Sequence, residues 1–234
     1  MPHILALSVS AGAGRHAGCG PRGARTHQRG NPLSWRTQLL GLVIATTTLG
    51  ACAQTPPVAP PRPVTWAQPL HIDGVANLYQ VTPTLYRSEQ PTPLGMKNLE
   101  KLGIRTVISL RHMNNDEDEV RGTSLRTERV KIFTWSIKDQ QVIDVMRILH
   151  KQENGPFLIH CQHGSDRTGL MSAMYRVLEQ GWSVDDALAE LTGGGYGYHS
   201  IWTNVLSYVR KADLAKLRAA ILAPDSAAPA VPTP

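Results

Sequence analysis

The hydrophobic and polar positions between residues 70 and 222 follow two alternating patterns. Short apolar runs rich in β-branched residues predict strands, and apolar residues that recur every three or four positions predict amphipathic helices. The predicted strands cover residues 77–80, 84–86, 105–110, 130–134 and 157–160, and the predicted helices cover residues 93–102, 142–151, 168–180, 184–191 and 201–217. This alternation predicts an α/β fold, a single domain with a central, mainly parallel sheet flanked by helices.

Composition divides the chain into four parts. Residues 1–51 have the features of a leader segment, and the proline-rich residues 52–69 predict an extended, semi-rigid tether. Residues 70–222 are long enough for one domain with one hydrophobic core. Residues 223–234 are rich in alanine and proline, which predicts a disordered tail.

The leader carries five arginines and no acidic residue, and a short apolar stretch follows at residues 39–49. These features predict a secretory signal, because the apolar stretch is too short to span a bilayer as a stable helix. Leu-Gly-Ala-Cys at residues 49–52 is similar to a bacterial lipobox. That resemblance implies that Cys52 carries a lipid and anchors the protein to a membrane on the periplasmic side of the cell envelope.

The net charge depends on whether the leader is removed. The whole chain has 24 basic and 18 acidic residues, a net charge of +6. Without the five leader arginines, 19 basic and 18 acidic residues remain, a net charge of +1. A nearly neutral mature protein argues against nucleic acid as a partner.

The most informative stretch runs from His160 to Gly169 and reads His-Cys-Gln-His-Gly-Ser-Asp-Arg-Thr-Gly. An apolar run precedes it and a helical pattern follows it, so Cys161 is expected to end a buried strand and Arg167 to lie in the first turn of a helix. Consecutive loop amides and the helix N-terminus can then bind a tetrahedral oxyanion and stabilise Cys161 as the attacking thiolate. The planar fork of Arg167 can hold two phosphate oxygens, and Gly164 lets the backbone turn close to the ligand.

Each position of this stretch has an expected role. Cys161 and Arg167 are expected to be catalytic, and His160 and Thr168 to support the thiolate, Thr168 through a hydrogen bond toward the sulfur. The expected phosphate-binding residues are Gln162, His163, Gly164, Ser165, Asp166 and Arg167.

The stretch resembles the signature loop of the cysteine-dependent protein tyrosine phosphatases, in the form His-Cys-x5-Arg-Thr-Gly. From about Ala76 to Val209 the chain is similar to small bacterial dual-specificity-like phosphatases that are exported to the cell envelope. The other supporting segments are residues 85–91, the run that begins at Gly103, and residues 193–199.

The resemblance also implies a general acid, an Asp on the loop after the strand that precedes the cysteine strand. Because the predicted strand 130–134 precedes it, Asp139 is the expected acid that protonates the leaving oxygen. Asp144 is an alternative, although it lies within a helical pattern. A general acid elsewhere in the chain is a further alternative, because mobile loops place this group only in the closed complex.

Three functions are consistent with these residues. The first is a protein phosphatase that hydrolyses phosphotyrosine, with phosphoserine and phosphothreonine as further substrates, through a cysteinyl-phosphate intermediate. The second is a phosphoinositide or inositol phosphate phosphatase, which the negative charge of Asp166 disfavours. The third is a non-catalytic phosphate-binding module. No cofactor and no metal are expected, because no His/Cys cluster has the spacing of a zinc site.

Two further features have less specific interpretations. The acidic run at residues 114–119 lacks the ligand spacing and the glycine of a calcium loop, so it predicts a solvated loop. Arg87 and Arg111 follow strands at the expected ligand end of the sheet, where each is either a substrate contact or part of a structural ion pair.

Overall fold

Six strands form one mixed sheet in the computed structural model, which describes residues 61–224 of the chain. The strands are β1 (Gln68–Pro69), β2 (Tyr79–Thr82), β3 (Leu85–Ser88), β4 (Thr106–Ser109), β5 (Arg126–Arg129) and β6 (Phe157–His160), in the order β1-β2-β3-β6-β4-β5. The pairs β3–β6, β6–β4 and β4–β5 are parallel, whereas β1–β2 and β2–β3 are antiparallel. The predicted fold class, a mainly parallel sheet flanked by helices, is confirmed.

Six α-helices flank this sheet within the described residues. They are α1 (Pro93–Leu102), α2 (Asp139–His150), α3 (Asp166–Leu178), α4 (Val184–Gly193), α5 (Thr203–Lys211) and α6 (Leu214–Leu222), with a 3-10 turn at Gln152–Asn154. Capping residues determine both ends of helix α1. The Thr92 hydroxyl accepts from the Gly95 N–H at its start, and Gly103 ends the helix with φ 98°. None of the helices between residues 61 and 224 has the length and apolar character needed to cross a membrane.

Strand β6 lies between two hydrophobic cores because successive strand residues point to opposite faces. Phe157 and Ile159 belong to the larger core, which is built mainly with α2, α3 and α4, and Leu158 belongs to the smaller core with α1. All four residues of β6 are buried. Its parallel neighbours end in register with it, so Ser88 and Ser109 both lie beside His160. Cys161 therefore leaves the sheet at the carboxyl edge of three adjacent strands.

Two predicted elements differ from the structure by more than a shift of their bounds. The predicted strand 130–134 is wrong: the strand is β5, one segment earlier, and residues 130–134 form a loop whose Val130 and Ile132 point into the core. The predicted helix 201–217 is two helices, because the Asp213 side chain accepts from the Lys216 N–H and starts α6 as an N-cap.

The packed part of the chain begins earlier than the predicted boundary at residue 70. Ala67 is 1% exposed, and Gln68 pairs with Gln80 of β2, so the end of the predicted tether belongs to the domain. The C-terminal boundary at residue 222 coincides with the end of α6. The leader, Cys52 and the tail from residue 225 onward lie outside the described residues.

Candidate active site

The loop between β6 and α3 has the backbone geometry of an anion site. Cys161 follows β6 directly and is 2% exposed, and Asp166 begins α3 four residues after Gln162. Within residues 61–224, no protein group accepts a hydrogen bond from the amides of residues 162–168. These amides and the positive end of the α3 dipole are thus available to an anion next to the cysteine sulfur.

Arg167 occupies the second position of α3 and is partly exposed. Its guanidinium makes no hydrogen bond or ion pair to the rest of the described chain, and it lines a depression of about 270 Å³ together with Gln162. His163 is exposed, and its ring lies 5.8 Å from the ring of His199. Cys161 and Arg167 are thus placed as predicted, at the two ends of one loop.

Gly164 allows the loop to pass very close to strand β3. Its φ is +69°, and a Cβ added there would lie 2.5 Å from the Ser88 carbonyl carbon and 2.6 Å from the Glu89 nitrogen. Both contacts are with backbone atoms, so a side chain has no room and the φ itself favours glycine. The Gly164 carbonyl accepts a 2.6 Å hydrogen bond from Arg87 Nη2.

Arg87 is therefore a structural residue behind the loop. It is 1% exposed, and its guanidinium lies 3.7 Å from the centroid of the Tyr196 ring. Burial lowers the pKa of Arg87, while the nearby Tyr196 and Glu190 oppose that shift. The aromatic face and the Gly164 carbonyl replace the ion pair that the sequence suggested as the alternative to substrate binding.

Two further side chains hold the loop from behind. Asn77 Nδ2 donates to the His163 carbonyl at 2.8 Å and to the Tyr196 carbonyl at 3.0 Å. Ser165 Oγ donates to the same Tyr196 carbonyl at 2.8 Å. Nothing in the sequence points to this role of Asn77 except that it is a polar residue at a turn, where it adopts φ 53°. Ser165 thus acts through its side chain as a support of the loop.

His160 is paired with a residue that the sequence placed in solvent. Its Nε2 lies 2.8 Å from Asp116 Oδ2, and both side chains are at most 1% exposed. Burial alone would raise the pKa of Asp116, but hydrogen bonds from His160 and Gln90 and the charge of Arg111 hold it below its ordinary value. The prediction of a solvated loop is wrong at Asp116, which ties residues 111–122 to the base of the loop.

Thr168 and Asp166 differ in detail from their expected roles. The Thr168 hydroxyl is buried without a partner in the described part of the chain, so the predicted bond to the Cys161 sulfur is not formed in this structure. The Asp166 carboxylate accepts from the His199 backbone N–H at 3.0 Å and contacts His199 Nδ1 at 2.9 Å. Asp166 is thus held by His199, and it does not line the depression beside Arg167.

Asp139 lies in a second depression next to that of Arg167. It is the first residue of α2, where it accepts from the Tyr208 hydroxyl at 3.0 Å and from Lys216 Nζ at 3.2 Å. Burial and the bond to Asp139 raise the pKa of Tyr208, so the phenol stays protonated and donates. Trp135 lines both depressions, and Asp144 accepts from Gln140 further along α2. The role of Asp139 as general acid stays a prediction.

The outer wall of the Arg167 depression is aromatic. The His112 and Phe133 rings stack with centroids 3.6 Å apart, and the Phe133 and Trp135 centroids are 4.8 Å apart. Trp135 is 67% exposed and Met113 is 84% exposed. We call these four residues the rim. Among the described residues, no three His, Cys, Asp or Glu side chains come together in a group that could hold a metal ion.

The fold and the site together define a class of enzyme. A buried cysteine, a loop of available amides and an arginine at a helix N-terminus constitute the site of a cysteine-dependent phosphatase. The chain belongs to the tyrosine phosphatase family, whose family model matches residues 75–193.

Several proteins are similar to this chain. The dual specificity protein phosphatase TpbA of Pseudomonas aeruginosa is 37% identical over 193 residues, which cover 82% of this chain and 87% of TpbA. A crystal structure of a Cys-to-Ser variant of TpbA in complex with pTyr matches with a TM-score of 0.63 at 35% identity, covering 69% of this chain and 98% of that chain. The inositol diphosphatase DSP3 of Arabidopsis thaliana is 27% identical over 125 residues, covering 49% of this chain and 60% of DSP3.

Proposed function

We propose that this protein hydrolyses phosphotyrosine in proteins through a cysteinyl-phosphate intermediate. The observation that carries the proposal is the run of available amides between Cys161 and Arg167 at the N-terminus of α3. Such a cradle fits the three non-bridging oxygens of a phosphoryl group and favours the thiolate form of the adjacent cysteine. The similarity to TpbA, a relative named as a dual specificity protein phosphatase, supports the same activity.

The mechanism has two displacement steps at phosphorus. The Cys161 thiolate attacks the phosphorus, the S–P bond forms and the bond to the tyrosine oxygen breaks, while Arg167 and the loop amides bind the equatorial oxygens. A general acid protonates the departing phenolate, and Asp139 is the predicted donor. Water then attacks the phosphorus, the same carboxylate accepts its proton, and inorganic phosphate and the free thiolate are released.

The rim supports an aromatic substrate. The exposed Trp135 and the half-buried Phe133 line the same depression as Arg167, where an aryl group attached to a bound phosphate would lie. Offset or edge-to-face contacts between aromatic rings add affinity beyond area burial, which a serine phosphate does not gain. The solved complex of the TpbA variant contains pTyr, which agrees with this preference.

A second candidate is a phosphatase of inositol phosphates. Arg111, His112 and Arg167 line the same depression, which gives it a positive character. The negative charge of Asp166 disfavours a highly charged ligand, but in the structure this carboxylate contacts His199. The relative DSP3 is named as an inositol diphosphatase. Comparison of a phosphotyrosine peptide with inositol hexakisphosphate as substrates of the same preparation separates the two candidates.

The location that we propose is the periplasmic face of the cell envelope, with a lipid on Cys52. The basic leader, its short apolar stretch and the Leu-Gly-Ala-Cys sequence at residues 49–52 support it. In cells that express the full chain, Cys52→Ser is expected to move the protein from the membrane fraction to the soluble periplasmic fraction. Equal fractionation of the variant and the parent protein would contradict lipid attachment at Cys52.

Hydrolysis of p-nitrophenyl phosphate by the full chain in the presence of EDTA tests the activity. Turnover that resists EDTA, is inhibited by orthovanadate and falls by at least about 10⁴-fold in Cys161→Ser is expected. Turnover that persists in Cys161→Ser would contradict a cysteinyl-phosphate intermediate. Orthovanadate binding with no turnover under reducing conditions would favour the non-catalytic module.

The identity of the acid needs a separate comparison. Asp139→Asn is expected to lower kcat by about 100-fold, because a positioned acid typically contributes at least that much. Asp144→Asn is the matched control on the same helix and is expected to change kcat by no more than about twofold. A kcat of Asp139→Asn within about twofold of the parent protein would exclude Asp139 as the acid.

A further inference from the structure

Residues 62–67, which precede β1, pack against the turn behind the signature loop. Arg62 Nε donates to the Ala67 carbonyl at 2.7 Å, Nη1 donates to the Gly194 carbonyl at 2.6 Å, and Nη2 donates to the Tyr196 hydroxyl at 2.6 Å. The Ala67 N–H donates to Glu190 Oε1 at 2.6 Å. Two of the three Arg62 bonds therefore join this segment to the Gly194–Tyr196 turn, and the third, to Ala67, holds the segment itself.

Tyr196 connects Arg62 to Arg87. The phenol is buried, accepts from Arg62 and donates to Glu190 Oε1 at 2.9 Å. The guanidinium carbons of Arg62 and Arg87 lie 5.1 Å and 3.7 Å from the centroid of the Tyr196 ring. Tyr79 meets the same ring edge-on at 4.7 Å. The position of this ring is thus determined from several sides, and Arg62 supplies one of its two hydroxyl contacts.

The signature loop contacts Tyr196 by two routes. Its Gly164 carbonyl accepts from Arg87, whose guanidinium lies on the Tyr196 ring. Its Ser165 hydroxyl donates to the Tyr196 carbonyl. Arg87 Nε is buried without a hydrogen-bond partner in the described part of the chain, so the ring face and the Gly164 carbonyl are the contacts that orient this guanidinium. A shift of Tyr196 therefore moves both supports of the loop.

We propose that Arg62 is a positioning residue for phosphate binding, acting on the signature loop through Tyr196 and Arg87. The proposal rests on the proposed function for its kinetic consequence and on geometry alone for its effect on anion binding. It assigns a role in the active site to a segment that the sequence presents as a tether. Loss of the Arg62 contacts leaves the Tyr196 ring less constrained, which loosens the geometry of the loop amides.

The test compares three variants of the full chain with the parent protein. Arg62→Ala removes the contacts, and Arg62→Lys keeps the charge but cannot reach three acceptors in the same planar geometry. Arg218→Ala is the matched control, because Arg218 also donates to two backbone carbonyls, those of Val177 and Leu178, at the other end of α3. That end lies about 18 Å along the helix from the loop, at 1.5 Å per residue.

The dissociation constant for orthovanadate is measured by titration calorimetry, and kcat and KM for p-nitrophenyl phosphate are measured at a temperature where circular dichroism shows every variant folded. Arg62→Ala is expected to raise the orthovanadate Kd and the KM about tenfold, with a smaller rise in Arg62→Lys. Arg218→Ala is expected to leave both within about twofold even where its Tm falls. A lowered Tm in Arg62→Ala with unchanged Kd and KM would overturn the proposal.

Tyr196→Phe covers the case in which Arg62→Ala does not fold, because it keeps the ring and removes the hydroxyl that Arg62 contacts. It is expected to raise the orthovanadate Kd, and an unchanged Kd would again overturn the proposal. Measurements on the parent protein separate the proposed function from the role of Arg62. Orthovanadate binding without turnover contradicts the proposed function, while the comparison of Kd values still tests Arg62.

Discussion

The two sides of the signature loop are built differently. Behind it, Arg87, Asp116 and His160 are almost fully buried, and each makes specific contacts with the loop or with the strand that leads into it. In front of it, Met113 and Trp135 are mostly exposed, and the Trp135 ring packs against the Phe133 ring. The back holds backbone atoms in place, whereas the front offers surface to a ligand.

This difference separates two properties of the enzyme. Anion affinity depends on several amides pointing to one place, so it requires the rigid, buried support behind the loop. Substrate preference depends on what surrounds the phosphate, so it resides in exposed residues that can change at little cost in stability. Substitutions behind the loop should therefore impair every substrate alike, and substitutions at the rim should discriminate between substrates.

The largest effect is expected where the loop touches β3. Gly164→Ala should lower kcat/KM about 100-fold for all phosphate esters, because the added methyl group collides with backbone atoms and displaces the loop by a fraction of an ångström or more. Gly122→Ala is the matched control, since Gly122 has φ +78° but no atom within 4 Å of an added Cβ. Steady-state kinetics of the two variants separate the collision from backbone strain. Similar losses in both would argue against the close approach as the cause.

Arg87 is the next most sensitive position. Arg87→Met should raise the orthovanadate Kd about 30-fold, because the Gly164 carbonyl loses its donor and the Tyr196 ring loses its cationic partner. Arg87→Lys keeps a charge, and its orthovanadate Kd should lie between those of Arg87→Met and the parent protein. Calorimetric titration gives the three values. An Arg87→Met protein that binds orthovanadate normally would show that the loop does not need this support.

The Asp116–His160 pair predicts a pH-dependent stability. The pKa of Asp116 is below its ordinary value in the folded protein, so the carboxylate stabilises the fold above about pH 4, and this contribution is lost as the pH falls through the lowered pKa. Asp116→Asn should therefore lower the free energy of unfolding by about 1–3 kcal/mol at neutral pH and by less in acid.

Urea unfolding at several pH values measures this difference in the free energy of unfolding. Asp116→Asn is also expected to lower kcat/KM about fivefold. The exposed Asp118, paired with Arg121 at the surface, supplies the control Asp118→Asn. The free energy of unfolding of that variant should differ from that of the parent protein by no more than about 0.5 kcal/mol at every pH. A difference for Asp116→Asn that does not depend on pH would mean that its charge is not what stabilises the fold.

The smallest effect on stability is expected at the rim. Trp135→Ala should change the free energy of unfolding by less than about 0.5 kcal/mol, because the side chain is 67% exposed. It should lower the preference for aryl over alkyl phosphates about fivefold, the size of a lost aromatic contact. Leu222→Ala, a similarly exposed position on α6, should leave that preference unchanged. If Trp135→Ala lowered kcat/KM equally for phosphotyrosine and phosphoserine peptides, other residues would have to discriminate between these substrates.

Local sequence signals were enough to predict the elements that bear the nucleophile. The predicted strand 157–160 has the bounds of β6, because a continuous apolar run is typical of a buried central strand. Strand β5 was missed because its residues Arg126–Arg129 are polar and none is buried, whereas the buried Val130 and Ile132 after it belong to a loop. Edge strands with one exposed side have no such run, so periodicity points to the wrong segment.

The support behind the loop could not be predicted from spacing. Asp116 and His160 are 44 residues apart, and Arg87 and Gly164 are 77 residues apart. Polar residues in an acidic run are usually solvated, and only the packing of residues 111–122 under the carboxyl ends of the strands makes Asp116 an exception. The candidate phosphate-binding residues could be named from the sequence because they lie within one loop. The residues that hold this loop could not, because they are distant from it in the chain.

The burial of Cys161 also determines how the enzyme would recover from oxidation. A sulfenic acid on this cysteine is reversible when a second thiol condenses with it to form a disulfide. Cys161 is the only cysteine between residues 61 and 224, and its side chain is 2% exposed. A protective disulfide within the described domain is therefore not possible. Reduction to the thiol depends on a small external thiol that enters through the phosphate opening, and it has to precede a second oxidation, which makes the loss of activity permanent.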